Sequence, residues 1–215
     1  MRMNVVRTAL VLGMSTFALS WGSGVTPAQA SQNPCGPSHW LPGAHLVDCN
    51  LKGANLAGRN LSGANFSGAN LSSANFTGAT LTATTWSFTN AMSANFSQAN
   101  LTGAMMRNVD LTKSTAVGAI FTGGGFTQAN FALVNLTNAS FDHLTMTLCD
   151  LKGVSGTGAN LSFDHWDGVN LVAANLSTAT LTGIQTKHVS TVGSTKLPPG
   201  WFNNLGVLRY RAPRP

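Results

Sequence analysis

Ser140-Phe141-Asp142-His143 and Ser162-Phe163-Asp164-His165 each set a carboxylate beside an imidazole. An Asp–His pair can orient a general base or contribute two metal ligands. The rest of the chain lacks the groups that would complete such chemistry. No His/Cys cluster has metal-ligand spacing, no serine sits in a Gly-x-Ser-x-Gly turn, and no glycine-rich phosphate loop is present. The two copies lie 22 positions apart, a spacing that matters below. A non-enzyme without catalytic residues, cofactor or metal is therefore expected, and the pairs read as polar surface substitutions. The remaining reactive side chains are the thiols of Cys35, Cys49 and Cys149.

The elements that must position these groups follow one period. From Leu46 to Leu181 a large apolar residue recurs on a five-residue frame that runs through 28 units without an insertion. With that residue numbered i, 25 of the 28 are Leu, Phe, Trp or Met, the exceptions being Ala91, Ala116 and Gly156. Position i−2 is Ala in 15 units, and i−1 is Asn in 14. Gly, Ser and Thr dominate i+1 and i+2. A period of five fits neither an α-helix nor a flat strand. Two inward positions, one large and one small, alternate with three that tolerate water and tight turns. One such unit cannot bury its Leu alone; stacked units build a continuous core and pair their backbones. A disordered tract has no need to keep phase.

The Ala-Asn-Leu-x-Gly units, as in Ala54-Asn55-Leu56-Ala57-Gly58 and Ala64-Asn65-Phe66-Ser67-Gly68, resemble the pentapeptide-repeat proteins. The resemblance covers 44–183. It implies an all-β fold, a right-handed quadrilateral β-helix with four units per coil, i and i−2 inward, and about seven coils. At ~4.8 Å per rung the body would be roughly 30–35 Å long.

With four units per coil, residues 20 apart stack, and the sequence divides into four stripes. The stripe through Leu51 carries Asn or Asp at every i−1 from Asn50 to Asn170, an amide ladder expected to bond along the column. The stripe through Leu61 carries a Ser/Thr ladder at i+1, interrupted by Asp142. The stripe through Leu46, Phe66, Trp86, Met106, Phe126, Met146 and Trp166 deviates. Its bulky i residues are expected to be core adjustments, with small Ala91 offsetting Trp86. Phe88, Met105 and Leu148 are predicted to face outward, with Arg107 and Asp167 beside them. These five residues form a candidate partner patch. Arg59 and Asp164 stand out at inward i−2 positions, where a charge needs a bulge or an exit near an end.

The ends read separately. Residues 1–30 have a basic n-region (Arg2, Arg7), an apolar stretch and an Ala28-Gln29-Ala30 cleavage site, and read as a signal peptide; the alternative is an N-terminal membrane anchor. Residues 31–43 suit an N-terminal cap. Residues 184–215 suit a C-terminal cap and basic tail, in which Trp201, Phe202, Leu205 and Leu208 are expected to pack on the last coil and Arg209–Pro215 to trail freely. Leu197-Pro-Pro-Gly-Trp201 resembles segments that flank pentapeptide-repeat blocks. Cys49 and Cys149 share a stripe but lie 100 residues, five coils, apart, too far to pair. A Cys35–Cys49 disulfide and a buried free Cys149 are expected in an exported chain; the alternative is that all three stay reduced.

The net charge of +6 is carried by the ends. Residues 44–183 hold five basic and six acidic side chains, net −1, and the chain has no Glu. Some members of the resembled family are implied to mimic DNA and bind type II topoisomerases, using a strongly acidic surface. The near-neutral body and basic tail do not match that, and no nucleic-acid partner is expected. The Ser/Thr ladder raises ice binding as a further alternative. The reading favoured is a secreted or periplasmic, envelope-associated scaffold that presents a β-helix surface to a protein or envelope component. Its oligomeric state is not fixed by the sequence.

Overall fold

The computed structural model describes residues 34–212. The expected signal peptide lies outside the described residues, as do positions 213–215. Backbone pairing joins residues 20 apart on all four sides of the chain, in parallel, beginning with His45–Asn65, Asn50–Asn70, Asn55–Asn75 and Asn60–Thr80. The central N–H of a unit typically donates to a carbonyl 19 residues on, as Leu46 does to Asn65 (2.8 Å) and Trp86 to Met105 (2.9 Å). The product is an all-β solenoid. On most sides each rung is a single bridge. On the side through Met106 the rungs lengthen into three-residue strands, β1 (Met105–Arg107), β2 (Gly125–Thr127), β3 (Thr145–Thr147), β4 (His165–Asp167) and β5 (Gln185–Lys187), stacked in that order. This five-stranded ribbon spans four turns; the expected count of about seven is reached only by adding the turns held by single bridges below it.

The inward positions are those the five-residue period selects. Every i residue from Leu46 to Leu181 other than Gly156 is a buried member of the core, and most i−2 alanines join it. Gly156 leaves room that Leu176, one rung on, occupies: a Cβ on Gly156 would lie 2.5 Å from the Leu176 Cδ2. Aromatic rings 20 residues apart stack along the axis, Phe66 on Trp86 at 4.5 Å, Phe76 on Phe96 at 5.0 Å and Phe121 on Phe141 at 4.8 Å between centroids. These spacings match the rung separation of a sheet, so the core repeats as the backbone does.

The corners are built at i+2, where from Asp48 to Gly183 every residue but Thr178 is left-handed, for example Gly53 (φ 66°) and Asn138 (φ 57°). Glycine suits that conformation, and Asn tolerates it. The Asn at i−1 serves the same turn. Its Oδ1 accepts the N–H of i+1, as Asn70 does from Ser72 (3.1 Å) and Asp110 from Thr112 (2.9 Å). The expected amide ladder is thus corrected. Among the described residues of the Asn50–Asn170 column only Asn170 Nδ2 to Asp150 Oδ1 (2.9 Å) runs between rungs, and that oxygen also accepts the Lys152 N–H of its own turn at 3.0 Å.

Both ends of the described chain are closed. At the first coil Cys35 and Cys49 form a disulfide with a Cα–Cα distance of 5.4 Å. Trp40, after a short 3-10 helix (Pro37–His39), donates its Nε1 to the Cys35 carbonyl at 3.1 Å. At the other end the pairing continues past Gly183 through β5, Ser190 and Lys196, with Asn175–Lys196 21 apart where the period slips by one. An antiparallel hairpin, β6 (Trp201–Asn204) and β7 (Val207–Tyr210), then folds over the last rung. Leu208 is buried and Trp201 packs against the core as expected, but Phe202 is exposed and Leu205 is 97% exposed at the hairpin tip. Arg209 and Tyr210 belong to β7, so the segment from Arg209 does not trail freely from its start. Strand alternation and the turn at Leu205-Gly206 decide this, and neither is part of the five-residue period.

Candidate interaction surface

The first Asp–His pair closes on itself at an exposed corner, with His143 Nδ1 2.9 Å from Asp142 Oδ2 and the His143 ring stacked on Phe163 at 5.1 Å. In the second, Asp164 points inward and His165 outward. The 22-residue offset, two more than a turn, puts the copies in different frames. Among the described residues no group of three His, Cys, Asp or Glu is placed to hold a metal ion.

Asp164 is fully buried, and the reason lies two residues on. Trp86 and Trp166 occupy equivalent inward positions, and each has a polar residue at i−2 where alanine is usual. Trp86 Nε1 donates to Thr84 Oγ1 at 2.8 Å, and Thr84 in turn donates to the Leu81 carbonyl at 2.6 Å. Asp164 takes the place of Thr84. Its Oδ1 accepts the Leu144 N–H at 2.8 Å, while its Oδ2 and the Trp166 Nε1 have no partner at hydrogen-bond geometry. Burial pushes the carboxyl up to about 8; the Leu144 amide and the Trp166 indole pull it down and Asp142 raises it, but burial prevails. Arg59 has the opposite outcome. In the first coil it turns out of the core, and its guanidinium carbon lies 5.6 Å from the Trp40 ring centroid, a cation–π contact that the cap supplies. Cys149 is free and buried, its thiol pushed up to about 11 by burial, which makes it a small core hydrophobe and a poor nucleophile.

The deviant side divides as its pattern suggests. Trp86, Met106, Phe126, Met146 and Trp166 are core residues. Phe88, Met105 and Leu148 are 66%, 57% and 59% exposed, and Arg107 and Asp167 are exposed beside them. These five fall into two equivalent groups. The Phe88 N–H donates to the Arg107 carbonyl at 2.8 Å, and the Leu148 N–H donates to the Asp167 carbonyl at 2.7 Å. Each group thus sets a corner hydrophobe one rung below a charged residue. Met105 shares β1 with Arg107.

The sequence reading missed other exposed apolar side chains, Leu133, Phe163, Ile120 and Met92. Leu133 and Phe163 occupy i+2, so the signal was a bulky residue at a turn position where Gly is usual. Most have an intramolecular use. A Cβ on Gly153, Gly168 or Gly183 would lie within 2.7 Å of Leu133, Leu148 or Phe163, each one rung away, and Met105 lies against Gly125 in the same way. A large outward side chain leans on the next rung's glycine. Phe88 is the exception, since Asn108 stands at the next corner.

Among the described residues the polar and reactive side chains are distributed over the faces and corners of a solenoid, an architecture that offers extended surfaces. The chain belongs to the pentapeptide-repeat family, whose model matches in eight copies over residues 43–85, 87–124 and 126–153. No curated protein matches it. Among solved structures it is similar to HetL, a pentapeptide repeat protein involved in heterocyst differentiation regulation from the cyanobacterium Nostoc sp. strain PCC 7120, at 22% identity over 73% of this chain and 86% of that one, with a TM-score of 0.37. It is also similar to the pentapeptide repeat protein Rfr23 from the cyanobacterium Cyanothece 51142 (21% identity, 65% and 91% covered, TM-score 0.45). A third is QnrB1, a plasmid-mediated fluoroquinolone resistance protein (23% identity, 64% and 67% covered, TM-score 0.38). The family assignment rests on the repeats and not on these superpositions. Among the described residues no helix is long and apolar enough to cross a membrane.

Proposed function

We propose that this chain is an exported, non-enzymatic scaffold that binds a protein or envelope component through the side carrying Phe88, Met105, Arg107, Leu148 and Asp167. Phe88 carries the reading. It is a bulky residue held at φ 57° and 66% exposed, with Asn108 and not glycine at the next corner. A left-handed conformation costs a non-glycine residue about 1–2 kcal/mol, and in the isolated chain Phe88 recovers little of that by burial. Strain kept at an exposed aromatic suits a residue whose packing partner is another molecule. The disulfide and the signal-like N-terminus favour an oxidising compartment. The near-neutral body disfavours a DNA-mimic role, which needs dense negative charge.

Two measurements test this. Mature chain and a Phe88→Ser/Met105→Ser variant are used as bait against envelope and extracellular fractions of the native host. A partner captured by the first and lost by the second is expected; equal capture removes this face from the function. Intact mass of the exported protein is expected to begin at Ser31, and retention of residues 1–30 would refute the signal.

A further inference from the structure

The hairpin that closes the last coil ends in a turn ill suited to water. Asn204 pairs with Val207, so Leu205 and Gly206 form a two-residue loop, and both are left-handed, at φ 50° and 84°. Such loops favour Asn or Asp before the Gly. Leucine bears the conformational cost there with no polar group to offset it, and it is 97% exposed. The tip is nonetheless held in place. The Gly206 N–H donates to Asn203 Oδ1 at 2.8 Å, and the Gly206 carbonyl accepts the Val189 N–H at 2.8 Å. Gly206 sits so close to the last corner that a Cβ on it would lie 3.1 Å from the His188 Cα. Leu205 is therefore presented to solvent by an anchored turn.

Other apolar side chains share this end. Asn203 Nδ2 donates to the Val189 carbonyl (2.8 Å) and to Thr191 Oγ1 (2.9 Å), which brings the hairpin against the segment that carries Val192. Val192 is 76% exposed, and Gly193 after it is also left-handed, at φ 90°. In the hairpin Trp201 and Leu208 face the core, so strand alternation turns Phe202, opposite Arg209, to the other face. The charge of this end has one sign. Beyond Asp167 the sequence contains no acidic side chain and five basic ones, Lys187, Lys196, Arg209, Arg211 and Arg214. The first four are exposed, and none of them forms an ion pair among the described residues. Asp167 itself is engaged by His188 Nδ1 at 2.7 Å.

We propose that the C-terminal end of the solenoid docks on an anionic lipid bilayer. Leu205, Val192 and Phe202 enter the boundary between headgroups and acyl chains, and the Lys and Arg side chains of this end meet lipid phosphates. Apolar insertion and attraction to anionic headgroups add in such binding, and this end supplies both with no carboxylate to oppose them. Leu205 and Val192 stand on two separate turns. A fluid interface accepts such protruding points, whereas a protein partner needs pockets shaped to each. The site uses none of the residues of the Phe88–Met105 surface and does not depend on it.

Vesicle flotation with the full mature chain tests this, using phosphatidylcholine alone and phosphatidylcholine mixed with phosphatidylglycerol in equal parts. Binding to the mixed vesicles is expected, at least about tenfold stronger than to phosphatidylcholine alone. Leu205→Asn puts the preferred residue in the turn, so it should melt no lower than wild type while its partition falls about tenfold. Arg209→Gln/Arg211→Gln should lose a similar factor, and Phe88→Ser/Met105→Ser should lose none. An environment-sensitive dye on Leu205→Cys should brighten on mixed vesicles; Cys149 is buried and does not compete for the label. The proposal is overturned by no binding to mixed vesicles, by equal binding to both kinds, or by a dye that does not brighten. Equal partition of Leu205→Asn (charge adsorption, as to an acidic polymer) overturns it too, as does a lipid-free dimer that Leu205→Asn dissociates (a second copy on this face).

Discussion

Trp86 and Trp166 sit at the same inward position four rungs apart, and the residue two before each decides how its indole N–H is treated. Thr84 accepts it. Replacing Thr84 with Val keeps the volume and orphans a buried donor, so a loss of about 1–3 kcal/mol is expected in urea unfolding. Asp164 serves Trp166 less well and introduces a pH dependence. Its carboxyl titrates near 8 in the folded chain and near ~4 when unfolded. Between those values the folded state holds a proton that the unfolded state has released. Stability from this group is therefore full below about pH 4, falls as pH rises, and levels off above about pH 8. The urea midpoint of wild type should drop between pH 5 and pH 8, and Asp164→Asn should flatten that drop; an unchanged slope would mean that Asp164 is ionised in the fold. The pairing of Trp with a polar i−2 residue was present in the sequence, at Thr84-Thr85-Trp86 and Asp164-His165-Trp166. It went unread because an indole's need for an acceptor is apparent only once the position is known to be closed to water.

The corner is the element that repeats, and it sets what each i+2 residue costs. Glycine there is free to adopt positive φ and also leaves space for the side chain one rung below. Gly168, at φ 68°, does both for Leu148. Gly168→Ala should lower stability by about 1–2 kcal/mol from backbone conformation alone, with a further loss from the 2.6 Å approach to Leu148. Adding Leu148→Ala should recover that second part, leaving the conformational cost; a thermal melt of the three variants separates them. The period revealed that i+2 is a turn, but not that a Leu or Phe there leans onto its upper neighbour. That contact depends on the direction of the side chain along the axis, and a one-dimensional pattern does not carry direction. The Asn ladder was misread for the same reason: the amide chose its own turn over the next rung.

The whole molecule is a stack whose two ends are closed by different means. At the first coil a disulfide closes a 14-residue separation. Cys35→Ser should cost about 3 kcal/mol in the loop-entropy account, read as a shift in the denaturation midpoint that reducing agent reproduces in wild type. Cys149 should stay unmodified by maleimide until the protein unfolds. At the far end the hairpin covers the core, with the Leu208 N–H donating to Thr186 Oγ1 at 2.8 Å. Removing residues 199–215 should expose the last rung and promote self-association, visible as a concentration-dependent mass by light scattering.

Residue order by itself determined the inward and outward positions and the 20-residue stacking, and it singled out Cys35 and Cys49 as the pair that the structure joins. A regular stack is one local rule applied 28 times, and such a rule survives projection onto a line. The tertiary structure decided the places where the rule ends or is bent. It sent Arg59 out to the Trp40 ring and kept Asp164 in beside Trp166, because one lies in the first coil, against the cap, and the other has rungs on both sides. It also folded β7 over the last rung, with Leu208 against Thr186, because the period slips after Ser190 and the hairpin that follows obeys strand alternation instead. Separate segments meet there, and their meeting is set by how the chain folds back on itself.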